Sequence, residues 1–225
     1  MTQALSVADR PDAFARCEAW LQFAGGTLTG CTMAAGNAEG GHGLVATRAL
    51  EAGDLMLSVP AHLLITRASA AAEGLPVKAI PEADLIVLML TWQRQRGDAS
   101  SWSGWLPTIP RDFNLPLLWE EAQLSALCCP TLVERVQVQR QEAVARHAAL
   151  QAALATAPLH GAALKLVPPT FEEYAWGLAA LESRGVYLCG VLDAERDAVV
   201  PVGDMFNHAP ADTASVAAGY DAEAR

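Results

Sequence analysis

The spacing of apolar residues along this chain switches between a helical period and short alternations. Residues 13–23 carry apolar side chains at helical intervals, and the pair Gly25-Gly26 ends that pattern, which predicts a short amphipathic helix. The stretch that follows alternates apolar and polar positions between glycine turns. Within that stretch the pattern predicts a turn at 51–54 and a buried strand at 55–60.

A longer middle stretch has the period of helices. Helices are predicted at 83–96, 119–127 and 131–155. The packed side of the third is predicted to carry Leu132, Val136, Val144, Leu150 and Leu154. A further helix is predicted at 171–181, because Thr170 suits the N-cap and Glu173 stands where a capping box needs its acid.

After Arg184 the pattern returns to strands and turns. These changes predict an α+β protein in which a β-rich core of short strands is interrupted by a long, mainly helical insert. The predicted segments are an N-terminal helical segment at 1–23, the first part of the core at 24–67, the insert at 68–181 and the second part of the core at 182–225.

Composition and charge narrow the function classes. About half of the residues are apolar, and the formal net charge is −10 with no cluster of Lys and Arg, which disfavours a nucleic-acid partner. The five cysteines are odd in number and form no C-x-x-C pair, which disfavours disulfides and a structural zinc ion. No apolar run is long enough to cross a bilayer, and the early acids Asp9 and Asp12 do not suit a signal peptide. We therefore expect a soluble intracellular protein, in the cytoplasm, the nucleus or a plastid.

Three polar side chains close together near the end of the chain are the strongest chemical signal. Asp204, Asn207 and His208 follow an apolar strand within one turn-prone segment, and burying them unpaired would be costly, which favours a ligand pocket. Two other features are ambiguous alone. The Gly-rich run 40–43 suits either close backbone approach to a ligand or a hairpin turn. Arg184 suits either a fixed guanidinium beside a pocket or an exposed helix C-terminus.

Taken together, these motifs resemble the SET-domain protein methyltransferases, in the branch that includes the Rubisco large-subunit lysine methyltransferase. The resemblance covers nearly everything from about residue 20 to residue 210. It is carried by Gly41-His42-Gly43-Leu44-Val45-Ala46-Thr47, Gly53-Asp54-Leu55, Val59-Pro60, Leu63-Leu64-Ile65-Thr66, Trp105-Leu106-Pro107 with Pro110, Ser183-Arg184, and Val200-Pro201 with Asp204 and Asn207-His208.

The resemblance implies a SET core, the cofactor S-adenosyl-L-methionine and a lysine-bearing protein substrate. It implies that the cofactor is bound by Gly40, Gly41, His42, Arg184, Asn207 and His208. It also implies that Leu188 and Asp204 lie on the substrate side. The branch places its catalytic tyrosine in a Tyr-Gly motif after a further strand. Tyr220 does not match that motif, so we expect the catalytic residue beyond Arg225 and little methyl transfer by residues 1–225 alone.

Three alternatives remain open from the sequence. The methyl acceptor could be histidine, because the same branch includes an actin-histidine methyltransferase. The chain could be a catalytically inactive SET-like fragment that only binds. A metal-dependent hydrolase built on Asp204 and His208 is also conceivable, but two ligands are fewer than such sites use.

Overall fold

A computed structural model describes residues 10–35, 42–187, 197–209 and 214–219. Within these ranges the chain is α+β, with short antiparallel strand pairs and longer helices, as predicted. It divides into two compact units. One comprises Met1–Ile65, Asp98–Ile109 and Arg184–Arg225, and the other comprises Thr66–Gly97 and Pro110–Ser183.

The first unit contains helix α1 and three strand pairs. Its elements are α1 (Arg10–Phe23), β1 (Thr27–Leu28), β2 (Cys31–Ala35), β3 (His42–Ala46), β4 (Leu57–Ser58), β5 (Gly185–Tyr187) and β6 (Asp197–Val199). The pairs are β1 with β4, β2 with β3 and β5 with β6, all antiparallel. Ile65 and Val199 add a bridge, each donating its N–H to the other's carbonyl at 3.0 Å. Short 3₁₀ turns lie at Ala61–Leu63, Leu106–Thr108 and Gly203–Met205.

The core of the first unit is built from both ends of the chain. It includes Phe14, Cys17, Leu21, Met33, Trp102, Trp105, Val199, Val202 and Met205, all of them buried. The predicted buried strand at 55–60 is wrong as stated. Only Leu57–Ser58 pairs, opposite β1, and Leu55 is 69% exposed because its side chain lies outside the two-residue ladder.

The second unit is helical. Its elements are α2 (Arg67–Ala72), α3 (Glu82–Arg96), α4 (Glu121–Ala126), α5 (Pro130–Thr156) and α6 (Phe171–Arg184), with 3₁₀ turns at Pro116–Leu118 and Gly161–Lys165; α6 ends at Arg184, which groups with the first unit. The capping box predicted at the start of α6 is confirmed. Thr170 Oγ1 accepts from the Glu173 N–H at 3.2 Å, and Glu173 Oε2 accepts from the Thr170 N–H at 2.8 Å.

Helix α3 is the centre of the second unit. Ten consecutive residues, 84 to 93, are buried, so α3 packs on every side rather than through one apolar face. Helix α5 packs through Val136, Ala143, Leu150 and Leu154. The predicted inclusion of Leu132 and Val144 is wrong, since these side chains are 46% and 54% exposed. Val144 lies about 100° around the helix from Ala143, which points it away from the packed side.

Candidate functional site

Strand β3 and the segment after β6 meet at a close backbone approach in the first unit. A Cβ atom built on Gly43 would lie 2.6 Å from Asn207 Nδ2 and 3.3 Å from the Met205 carbonyl oxygen. Real Cβ atoms do not come that close to another heavy atom, so glycine is required here unless Asn207 moves. The glycine motif near the start of the chain and the Asn-His motif near its end therefore form one site.

The segment that carries the polar residues is a strained turn. Val202 has φ 68° and ψ −37°, a backbone conformation that β-branched residues rarely adopt. The Asp204 N–H donates to the Val200 carbonyl at 2.9 Å, and the Met205 N–H donates to the Val202 carbonyl at 3.0 Å. The Val202 side chain is completely buried, so packing holds the turn in place. Strain maintained in this way is typical of functional sites.

Asp204 of this turn belongs to a buried ion pair. Arg184 Nη1 lies 2.5 Å from Asp204 Oδ2, and the Trp105 indole N–H donates to Asp204 Oδ1 at 3.1 Å. The Asp204 side chain is 0% exposed and that of Arg184 is 12% exposed. Arg184 Nη1 also contacts Met205 Sδ at 3.6 Å. The alternative of an exposed arginine at a helix C-terminus is therefore wrong.

Burial shapes the electrostatics of this cluster. Loss of hydration raises the pKa of the Asp204 carboxyl above its ordinary value, and the Arg184 guanidinium and the Trp105 N–H partly offset that rise. Cys17 of α1 lies within the field of this carboxylate. Burial, followed by the Asp204 charge, raises the pKa of the Cys17 thiol well above its ordinary value. Cys17 is therefore an uncharged packing residue and not a nucleophile.

The structure brings several of the predicted site residues together. His42 is half-buried, and its ring contacts Phe14 edge-on with centroids 5.6 Å apart. Asn207 and His208 are exposed beside Gly43. Their amide and imidazole are thus accessible to a ligand. Gly40, Gly41, Leu188 and Tyr220 lie outside the described residues.

Trp105 is the site residue that sequence reasoning did not single out. The structure places the indole N–H on the Asp204 carboxylate, and the side chain is completely buried. The available signal was the Trp-Leu-Pro motif at 105–107, which the family resemblance contained without a role.

The hydrogen-bonding side chains at this site suit a small organic ligand. Among the residues that the structure describes, no group of three or more His, Cys, Asp and Glu side chains is placed to hold a metal ion. No helix of the described ranges is long and apolar enough to cross a membrane. The site instead combines a close backbone approach with an amide, an imidazole and a guanidinium, which suit the carboxylate and the heterocycle of a small charged ligand.

Comparison with known proteins identifies the fold. No family model matches the chain. Its sequence is 28% identical over 223 residues to the actin-histidine N-methyltransferase of Canis lupus familiaris and 26% identical to that of Danio rerio. These matches cover 95% of this chain but 37% and 36% of the relatives. The chain thus spans little more than a third of their length.

Solved structures with a similar fold are also SET-domain proteins. The SET domain of LSMT bound to lysine and AdoHcy matches with a TM-score of 0.75 and 23% identity, over 89% of this chain and 44% of that one. Rubisco LSMT bound to AdoMet matches with a TM-score of 0.74 and 22% identity, over 90% of this chain and 46% of that one. The resemblance to the SET-domain methyltransferases is confirmed, and the fold is that of a SET domain.

Proposed function

We propose that this chain binds S-adenosyl-L-methionine and serves the transfer of its methyl group to a side-chain nitrogen of a protein, with lysine as the first candidate. The observation that carries the proposal is the approach of Gly43 to Asn207, which brings together the two motifs that the resemblance assigns to the cofactor. The matched structures are of proteins bound to AdoMet or AdoHcy, which supports the same ligand here.

The residues present fit such a ligand. Asn207 and His208 offer an exposed amide and imidazole, Asn207 lies close to Gly43, and Arg184 offers a guanidinium for a carboxylate. When bound, the cofactor supplies a methyl group on a positively charged sulfur. The protein's part is to align that group with the acceptor nitrogen and to exclude water. The acceptor must be uncharged, so it must lose its proton before or within the site.

Calorimetry with S-adenosylhomocysteine tests the binding step. We expect binding by the wild-type chain and a weaker affinity for Asn207→Ala and His208→Ala, each by about three- to ten-fold, because each removes a ligand hydrogen bond. Gln22→Ala is the control, since Gln22 is also exposed in the first unit but lies on α1. A folded wild-type chain that does not bind millimolar ligand would overturn the proposal.

The acceptor is identified from the product. One of the LSMT structures is bound to lysine, whereas the curated relatives are named for histidine, which makes histidine the second candidate. Labelled protein from an extract is hydrolysed, and methyl-lysine is separated from methylhistidine. The pH dependence separates them independently, because histidine is largely uncharged above about pH 7 whereas lysine keeps losing its proton up to about pH 10.

A further inference from the structure

We propose that Asp204 and Trp105 are positioning residues that fix the guanidinium of Arg184 for the cofactor, an inference that rests on the proposed function. The sequence resemblance places Asp204 on the substrate side. Its carboxylate is completely buried, and each of its oxygens accepts a hydrogen bond from within the first unit. Such a carboxylate is not accessible to a substrate, but it is well placed to orient the arginine that touches it.

The two carboxylate oxygens have separate donors. Trp105 Nε1 donates to Oδ1 at 3.1 Å, and Arg184 Nη1 donates to Oδ2 at 2.5 Å. The indole thus fixes the rotation of the carboxylate, and the carboxylate fixes one corner of the guanidinium. Within the described residues, Arg184 makes its contacts through Nη1. In this proposal the other guanidinium nitrogens bind the ligand carboxylate in the orientation that the contact with Asp204 sets.

Trp105 can act as a fixed donor because its loop is firmly anchored. Within Asp98–Ile109, Trp102 Nε1 donates to the Leu63 carbonyl at 2.7 Å. Trp20 Nε1, on α1, donates to the Ser101 carbonyl at 2.9 Å. A Cβ built on Gly104 would lie 2.3 Å from Trp20 Cβ, so α1 and the loop are in close contact. Three indole N–H groups therefore make hydrogen bonds to or from this loop. Of these three, only that of Trp105 donates to a charged group.

Positioning matters because arginine has many rotamers. An arginine at the end of a helix would lose that freedom on binding a ligand, which lowers affinity. Holding Arg184 in place beforehand removes part of this loss. Removing the Trp105 N–H should therefore weaken ligand binding, although the Trp105 side chain is completely buried and its N–H donates to Asp204.

The test compares Trp105→Phe with Trp102→Phe. Both substitutions keep a buried ring and remove one indole donor from the same loop, but only the first donor reaches Asp204. S-adenosylhomocysteine is the probe, and both the melting temperature and the dissociation constant are measured. We expect similar losses of melting temperature. We expect affinity to fall about ten-fold for Trp105→Phe and less than about two-fold for Trp102→Phe.

A second measurement uses the wild-type chain alone, in case Trp105→Phe does not fold. The indole ¹⁵N–¹H resonance of Trp105 should shift when S-adenosylhomocysteine binds, whereas that of Trp102 should stay in place. Binding with equal affinity by the two folded variants, or an unmoved Trp105 resonance in the saturated wild type, would overturn the positioning role while leaving the proposed function intact. Failure of the folded wild type to bind would overturn both.

Discussion

At the scale of single residues, the site depends on one position that has no side chain. Gly43 lies in β3 opposite Ala34, and a Cβ there would meet Asn207 Nδ2 at 2.6 Å. The constraint is one of space and comes from a residue far along the chain. From the residues alone, the glycine run suited either close approach of the backbone to a ligand or a hairpin turn, and the sequence could not show that Asn207 fills that space.

Gly43→Ala should therefore disturb ligand binding more than folding. The new methyl group must displace the Asn207 side chain, which is exposed and able to move, whereas the Met205 carbonyl is only slightly crowded at 3.3 Å. We expect a stability loss of about 1 kcal/mol and a larger loss of S-adenosylhomocysteine affinity, of about ten-fold or more.

Gly219→Ala is the control, because a Cβ there meets nothing within 4 Å. Unfolding in urea and calorimetry are run on both variants. Unchanged affinity in a folded Gly43→Ala chain would show that the Asn207 side chain takes no part in binding.

At the scale of elements, short-range sequence signals predicted structure reliably, whereas long-range packing could not be predicted from them. Thr170 and Glu173 stand three residues apart, so the capping box that begins α6 could be predicted from sequence alone and is confirmed. The burial of Arg184 at the other end of α6 could not be predicted in this way. Arg184 is buried because its partner Asp204 is brought to it by the fold, and no local pattern encodes that contact.

Helices α3, α5 and α6 meet at a polar cluster that the sequence pattern did not reveal, in which Asp84 and Tyr174 are buried. Asp84 Oδ1 accepts from the Tyr174 hydroxyl at 2.6 Å and from Arg146 Nε at 3.0 Å, and Arg146 Nη2 lies 2.8 Å away. Burial, and then the hydrogen bond to Asp84, raise the pKa of Tyr174 well above its ordinary value. The phenol therefore stays protonated in the folded chain at pH values where the unfolded chain would ionise it.

This shift predicts a specific alkaline loss of stability. Because the folded state holds the Tyr174 proton more tightly, its contribution is fully present below about pH 10 and is lost as pH rises above that value. Tyr174→Phe should lower stability by about 1–3 kcal/mol at neutral pH, since Asp84 loses a donor, and should flatten the decline above pH 10. Free energies of unfolding in urea at a series of pH values measure both effects.

Tyr187→Phe serves as the matched control, because Tyr187 is 57% exposed on β5. Its stability curve should run parallel to that of the wild type. A Tyr174→Phe curve that declines as steeply as the wild type above pH 10 would contradict the role assigned to the buried phenol.

At the scale of the whole molecule, the first unit is assembled from three separate stretches of chain. The sequence predicted a core split by an insert, and the confirmed α+β SET fold agrees with that. The loop Asp98–Ile109 was assigned to the insert, yet its contacts group it with the first unit. Its indole contacts with Leu63 and Asp204 span long sequence separations, and such contacts leave no periodic trace in the sequence.

The ion pair between Arg184 and Asp204 lies within the last of these stretches, and the hydrogen bond from Trp105 connects it to the middle one. Neutralising one member leaves the other buried without a counter-charge, so Asp204→Asn should destabilise the chain by about 3–5 kcal/mol. Replacing both, as Arg184→Met with Asp204→Leu, removes both desolvation costs, and we expect it to recover more than half of that loss. Urea unfolding of the wild type, Asp204→Asn, Asp204→Leu, Arg184→Met and the double variant measures this, with Arg48→Met as the control from an exposed pair. Additive losses in the double variant would mean that the pair is not coupled. Recovered stability together with lost S-adenosylhomocysteine binding is the expected outcome, because the double variant keeps an uncharged, packed interior but has no guanidinium for the ligand carboxylate.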